Sequence, residues 1–396
     1  MTERLYYTDP YLQVFQAEIL AIEITPDGRQ GAILDRTAFY PTSGGQPYDL
    51  GTLGSARVTD VVDRDDGTIL HVFEGELACG RIEARIDWTR RFDHMQQHTG
   101  QHVLSAAFDR VGQARTESFH LGASSATIDL AKELPPEEIR RAEAEANRVV
   151  WEDRPVTIRF VSAEEAIALP LRKEPVRAGE LRLIDVEGFD LSACGGTHVR
   201  RTGAIGIIAI GSWERFRGGT RVEFRCGGRA LHAYHHLRDI MGEATRLLSV
   251  LPAEVAPGIE RLQAEAREIK RENKGLQARL ASFEADALTT KAEPVRGVSV
   301  VVAQLDGWDA NGLKSIASHI ATRPKHAAVL IGMPVPAAVV AARAADVSLD
   351  CGAIVKQLAA RFGGKGGGRP ELSQGGGLHG DGPAIVEFAR TLVSGA

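Results

Sequence analysis

The chain has 396 residues, 43% hydrophobic and 25% charged, with a formal net charge of −5. That length exceeds one core and calls for roughly two to four domains, and the charge balance excludes a strongly cationic nucleic-acid binder, although a basic face can sit inside an acidic total. Four cysteines, Cys79, Cys194, Cys226 and Cys351, lie at least 32 residues apart without a CxxC pair, which suits a reducing compartment and leaves each thiol as core, ligand or nucleophile. The opening "MTERLYYTDP" lacks the apolar core of a signal sequence. The most apolar run, 327–342, holds two prolines and falls short of the ~20 residues of a bilayer span; it reads as buried strand and turn. A cytoplasmic protein without a membrane partner is expected.

Residues 1–90 carry short apolar-alternating runs ("FQAEILAIEI", "QGAILDRTAFY", "GSARVTDVVDR", "GTILHVFEG", "GRIEARID") between Asp, Gly and Pro turns, the pattern of a small β-barrel. From Arg90 the period becomes helical in "RRFDHMQQHTGQHVLSAAFDRV". A second helix is predicted over 136–150, where "PPEE" suits a helix start and its dipole. Strands are expected to resume at 155–161, 181–187 and 204–210, giving an α+β unit over 91–228. Residues 229–290 read as helical. Val255, Ile259, Leu262, Ala266, Ile269, Asn273, Leu276, Leu280, Phe283 and Ala287 alternate spacings of four and three, a heptad seam that predicts either a homodimer or an intrachain hairpin with 230–250. After Pro294 the α/β alternation returns, so 291–396 forms a C-terminal domain. The overall class is α+β, multidomain.

His94, His98 and His102 recur every four residues, so a helix puts them on one face. The run "HTGQH" has Thr99 where a zinc peptidase has its glutamate base, which removes peptide hydrolysis. Ninety-two residues after His102, "CGGTH" offers Cys194 and His198 across two glycines. A histidine pair plus a Cys-His pair is a full tetrahedral set, and sulfur with nitrogen favours Zn²⁺. His94 is then the spare, beside the site or on the surface. Whether His198 binds the metal directly, and whether the site is a closed structural staple or has an exchangeable position, stay open at this level.

"RRFDHMQQHTGQHVLSAAF" and "SACGGTHV" resemble the HxxxH and CxxxH zinc motifs of the alanyl-tRNA synthetase editing domain and its free-standing AlaX-type relatives. "RTAFYPTSGGQPYDLG" (36–51) resembles the FYPxGGGQPxDxG signature of the preceding barrel, with Ser43 for one glycine. "GGTRVEFRCGGRAL" (218–231) resembles the segment that closes the editing domain, and "RFGGKGGGRPELSQGGG" (361–377) a DHHA1-type C-terminal domain. The resemblance implies the long AlaX form: barrel 1–90, zinc editing domain 91–228, helical or coiled-coil segment 229–290, DHHA1-type domain 291–396. The length and the start of the chain argue against an intact synthetase, and "GGKGGG" is a poor P-loop because Gly366 follows Lys365.

By the same resemblance the activity is hydrolysis of tRNA(Ala) mischarged with serine, or glycine, in trans, with Zn²⁺ bound by His98, His102, Cys194 and His198. Thr37, Gln46 and Gln101 are the expected catalytic-site residues, with Thr37 and Gln46 as partners for the extra serine hydroxyl, and Ser118 and His120 as weaker candidates. Lys365 and Arg369 are the expected phosphate contacts, on a tail (295–396) that carries 10 Lys+Arg against 7 Asp+Glu. The competing readings are a non-catalytic tRNA-binding protein with a structural zinc and a hydrolase of other aminoacyl-tRNA esters.

Overall fold

The predicted alternation in the first 90 residues closes on itself. Six antiparallel strands form a barrel in the order Val14–Ile24, Gln30–Leu34, Ile69–Glu74, Ala56–Asp63, Gly51–Leu53 and Gly80–Ile86, the last pairing back to the first. Period-two patterning drives this, since inward residues such as Phe15, Ala17 and Ile19 alternate with exposed ones along the first strand. This computed structural model describes residues 1–172 and 179–395. They divide into two compact units, Met1–Glu243 and Ala244–Ala396.

In the first unit the barrel leads into helix α1 (Trp88–Gly112), capped by the Asp87 side chain, which accepts from the Arg90 N–H. Helix α2 (Pro136–Trp151) packs on α1 with a proline in its first turn and Glu137 and Glu138 at its positive end. A four-stranded antiparallel sheet (order Ile208–Phe216, Gly219–Cys226, Ala126–Leu130, Thr116–Leu121) and a three-stranded one (Val156–Val161, Leu181–Val186, Asp190–Ala193) complete the α+β part. The strand expected at 204–210 starts later, at Ile208. A 3-10 turn over Thr202–Ile205 precedes it, and Gly206 turns the chain at φ 84°. One core joins α1, α2 and both sheets.

The second unit is a six-stranded sheet in the order Glu293–Val295, Val298–Asp306, His326–Met333, Ala337–Arg343, Leu372–Leu378, Lys365–Arg369. Its parallel pair, Val298–Asp306 with His326–Met333, is joined by the helix Ala310–Ala321. The apolar run 327–342 is the hairpin of two of these strands, as read from the sequence. No helix among the described residues is long and apolar enough to cross a membrane. The heptad lies on one 35-residue helix, Val255–Thr289. Its seam is exposed, from 45% at Ile259 to 67% at Phe283. The last turns bury a different stripe, Ala281, Ala285 and Leu288, against the helix Ala310–Ala321 and the strand Val298–Asp306.

Candidate metal centre

Helix α1 is buried along most of its length, so its polar side chains face protein and not water. Two glycines let the elements close around it. A Cβ on Gly100 would sit 2.3 Å from Cys226 Sγ, so glycine is what allows α1 to lie against the strand Gly219–Cys226. A Cβ on Gly196 would lie 2.2 Å from His98 Cε1, so the second glycine of "CGGTH" is what lets that turn fold over the imidazole.

His98, His102, Cys194 and His198 converge, with one ligand atom from each and all four atoms within 4.8 Å of one another. The three rings stand 4.6, 4.7 and 5.4 Å apart between centroids. His98 Nε2 and His198 Nε2 each lie 3.4 Å from Cys194 Sγ. The far nitrogen of every ring is occupied by a different kind of group. His98 Nδ1 donates to Gln46 Oε1 at 2.8 Å, His102 Nδ1 to Asp190 Oδ2 at 3.1 Å, and His198 Nδ1 to Thr99 Oγ1 at 3.2 Å. An amide, a carboxylate and a hydroxyl thus hold three Nδ1–H tautomers and aim three Nε2 lone pairs inward. Imidazoles fixed by a second hydrogen bond are what a metal site requires, and three nitrogens with one thiolate match a tetrahedral Zn²⁺ set. The donor chemistry fits the ion that the motifs imply.

The charges around the centre are unequal. Burial opposes ionisation of Cys194, but His98 and His198 beside it and hydrogen bonds from His102 and His198 hold its thiol well below the ordinary value. Burial also works against a charged His102, yet the Asp190 carboxylate and the Cys194 sulfur outweigh it and raise His102 to about 9. His198 is pushed down by burial to about 3, although the Cys194 sulfur beside it acts in the opposite direction. Asp190 resists burial through His102 and Arg172 and is lowered to about 2. Arg172 Nε reaches it at 2.6 Å and Ser192 Oγ at 3.0 Å.

The barrel supplies the rest. Gln46 is wholly buried: Oε1 also accepts from the Thr197 N–H at 3.1 Å, and Nε2 donates to Thr197 Oγ1 at 2.8 Å. Three residues on, Asp49 forms a fully buried ion pair with Arg91 of α1 and accepts from the Tyr40 N–H. Arg91 also donates to the Pro10 carbonyl at 2.9 Å. This pair ties the "SGGQPYD" loop to α1 and so sets Gln46 against His98. Behind the cysteine turn, Arg182 Nη1 donates to the carbonyls of Cys194 (2.6 Å) and Gly196 (3.0 Å).

The structure therefore assembles the four expected ligands and brings Gln46 to them as the support of His98. Thr37 is buried, its hydroxyl donating to His71 Nε2 at 2.8 Å and accepting from the Phe39 N–H at 3.0 Å. His71 is free to accept because burial lowers it to about 4 and its Nδ1 faces the Ala32 carbonyl. Gln101 Nε2 donates to Ser105 Oγ, which also receives the Thr116 hydroxyl. Ser118 and His120 lie exposed on their strand, while the intervening Phe119 packs its ring 5.5 Å from that of His98. Lys365 and Arg369 are exposed on the edge strand of the C-terminal sheet. Sequence reasoning missed Asp190, Arg172 and the Asp49–Arg91 pair. It read Thr99 only as a missing glutamate.

Three family models meet the chain. "tRNA synthetases class II (A)" matches residues 1–90, "Threonyl and Alanyl tRNA synthetase second additional domain" 181–223, and "DHHA1 domain" 297–395. Barrel, metal cluster and C-terminal sheet thus place the molecule among the editing-type proteins that share these domains with class II synthetases. The alanyl-tRNA editing protein AlaX-L of Pyrococcus horikoshii is 31% identical over 389 residues, 95% of this chain and 94% of that protein. The chain belongs to that family of alanyl-tRNA editing proteins. The alanine–tRNA ligases of Methanoregula boonei and Pyrococcus abyssi are 35% and 33% identical, and the chain spans 42% of the length of each.

Proposed function

We propose that this protein is a Zn²⁺-dependent hydrolase that deacylates Ser-tRNA(Ala) in trans, with Gly-tRNA(Ala) as a second substrate. The observation that carries this reading is the convergence of His98, His102, Cys194 and His198, each imidazole held through its Nδ1. The scissile bond is an aminoacyl ester, activated enough to need no acyl-enzyme. A bound zinc supplies Lewis acidity to such a carbonyl or a water of lowered pKa. The chain's own part is to hold the ligands. Gln46 and Thr99 orient His98 and His198 with neutral groups, and Asp190 orients His102 with a charge. Gln101, through Ser105 and Thr116, supplies a polar wall on the next turn of α1. Lys365 and Arg369 are assigned to tRNA phosphates, and the exposed heptad of Val255–Thr289 to a homodimer contact.

A second reading, a structural zinc in a non-catalytic tRNA-binding protein, draws on the same geometry, because four converging donors close a tetrahedral site and catalysis needs an exchangeable one. Incubating the zinc-loaded protein with Ser-, Gly- and Ala-charged tRNA(Ala) separates them. Loss of the seryl ester with the alanyl ester spared supports the hydrolase. No turnover of any ester overturns it in favour of the structural reading, and turnover on esters of other tRNAs alone overturns the assigned substrate.

A further inference from the structure

Each imidazole of the centre is held through its Nδ1, but Cys194 has no second atom by which a neighbour could fix it. The direction of its sulfur depends on the main chain of the turn that carries it. Both main-chain polar groups of Cys194 are bound to one residue, Arg182. The Cys194 N–H donates to the Arg182 carbonyl at 3.0 Å, and the Cys194 carbonyl accepts from Arg182 Nη1 at 2.6 Å. The same Nη1 holds the Gly196 carbonyl at 3.0 Å. The Gly196 N–H in turn donates to Cys194 Sγ at 3.3 Å, a bond that favours the thiolate.

Arg182 differs from the other arginines that reach the supports of the centre. Arg91 pairs with Asp49 and Arg172 with Asp190. Arg182 is 8% exposed, and the acceptors of its guanidinium are main-chain carbonyls: Cys194, Gly196 and, from Nε at 2.9 Å, Tyr7. Among the described residues no carboxylate pairs with it, and its Nη2 is buried without a partner. A buried cation so arranged is costly. Burial lowers its pKa, and the Cys194 thiolate acts against that more than any other charge. Tyr7 carries the grip on to the barrel. It ends the 3-10 turn Leu5–Tyr7, which follows Glu3–Arg4, paired in parallel with Arg36–Thr37. Arg4 also forms an ion pair with Asp63 at 2.6 Å. The Arg182 guanidinium lies 5.5 Å from the centre of the Tyr7 ring, and a Cβ on Gly195 would stand 3.7 Å from the Tyr7 hydroxyl. The cysteine turn is thus held between a tyrosine and a guanidinium that are themselves bound to each other.

We propose that Arg182 is a positioning residue of the metal centre: by binding the carbonyls of Cys194, Gly196 and Tyr7 at once, it sets the direction of the thiolate and makes the N-terminal turn Leu5–Tyr7 part of the centre. The proposal rests on the reading that the four residues hold zinc, and not on the identity of the ester.

The test compares Arg182→Met, Arg182→Lys and Tyr7→Ala with the parent full-length chain. Zinc affinity is read by chelator competition, and the cysteine by the thiolate-to-metal charge-transfer band of the Co²⁺-loaded protein. Arg182→Met is expected to bind zinc about 10–100-fold more weakly, with a shifted or weakened band and an unchanged far-UV spectrum. Arg182→Lys keeps the charge but not the fork that spans several carbonyls, so it should fall between Arg182→Met and the parent. Tyr7→Ala, which removes the ring from the guanidinium, should weaken zinc binding about two- to fivefold. A lowered melting temperature with affinity and band both unchanged in Arg182→Met marks a merely structural role and overturns the proposal. Parent affinity in Tyr7→Ala overturns the part assigned to the N-terminal turn. If Arg182→Met fails to fold, Arg182→Lys decides alone: weaker binding with an altered band supports the assignment, and parent values overturn it. A parent without zinc affinity overturns the metal reading and this proposal with it, a result seen before any substitution is made. Failure of the zinc-loaded parent to cleave any ester bears on the hydrolase reading alone.

Discussion

Replacing Asp190 by asparagine separates the two things its carboxylate does to the metal centre. In the metal-free protein His102 is raised to about 9, because Asp190 and the Cys194 sulfur outweigh its burial. The proton on its Nε2 must leave before that nitrogen can accept a metal. At pH 7.5, about 1.5 units lower, that proton costs the site about 2 kcal/mol of apparent metal affinity. His198, lowered to about 3, has no proton to release there, and the Cys194 thiol is lowered in the same direction. The apparent zinc constant is therefore expected to rise close to tenfold per unit between about pH 7.5 and 8.5, and to flatten above about 9. Asparagine keeps an oxygen for the Nδ1–H but removes the charge. Only the Cys194 sulfur then opposes burial, so His102 falls and the rise in the zinc constant is expected to move to lower pH. Well above pH 9, where the proton no longer matters, the variant should bind about 10–100-fold more weakly, the usual loss when such a support is removed. Competition with a chromophoric chelator across this pH range measures both quantities. Parallel pH slopes in parent and variant would refute the reasoning.

Gly196→Ala is expected to reduce zinc content to background while leaving the far-UV spectrum intact, since its Cβ would strike the His98 ring at 2.2 Å. Asp49→Ala leaves Arg91 buried and unpaired. It should cost about 3–5 kcal/mol and lower the melting temperature by about 6–20 °C, and the loosened Gln46 loop should weaken zinc binding with it. Lys365→Ala with Arg369→Ala is expected to weaken tRNA binding and to flatten its salt dependence by about 0.7–0.9 per contact removed, at unchanged zinc content; equal affinity counts against a phosphate role. Sedimentation of the full chain should give a dimer, and Leu262→Lys with Leu276→Lys a monomer, because both side chains are more than half exposed in the single chain.

The barrel and the helix α1 were legible because each rests on a strong local period, two in the strands and a rise of four in the histidines. The ligand set was legible because Cys194 and His198 sit four apart across two glycines, a spacing with few other uses. What supports the ligands was not. Asp190 is one aspartate among many on a short strand, and nothing local says that it faces His102, 88 residues earlier. The same holds for Asp49, whose partner Arg91 lies 42 residues on. The setting of Thr37 was hidden for a related reason. It stands beside "FYP", yet the strand turns its hydroxyl to His71 in the barrel. His94, the spare expected beside the site or on the surface, is buried at 2% exposure, so it is not a surface residue. The heptad was right as a helix, but its C-terminal turns bury Ala281, Ala285 and Leu288, a stripe outside the seam.

The Gln46 amide has a kinetic consequence. It bridges His98, 52 residues away, and Thr197, 151 residues away. Contacts of that separation are the slowest for a chain to find. The barrel leaves the ribosome before α1, and the cysteine turn follows almost a hundred residues later. Until all three segments have met, no imidazole of the centre has its full support. Metal capture is thus a late event in the life of the chain, and zinc uptake during refolding should lag behind helix formation, serving as a clock for the completion of the fold.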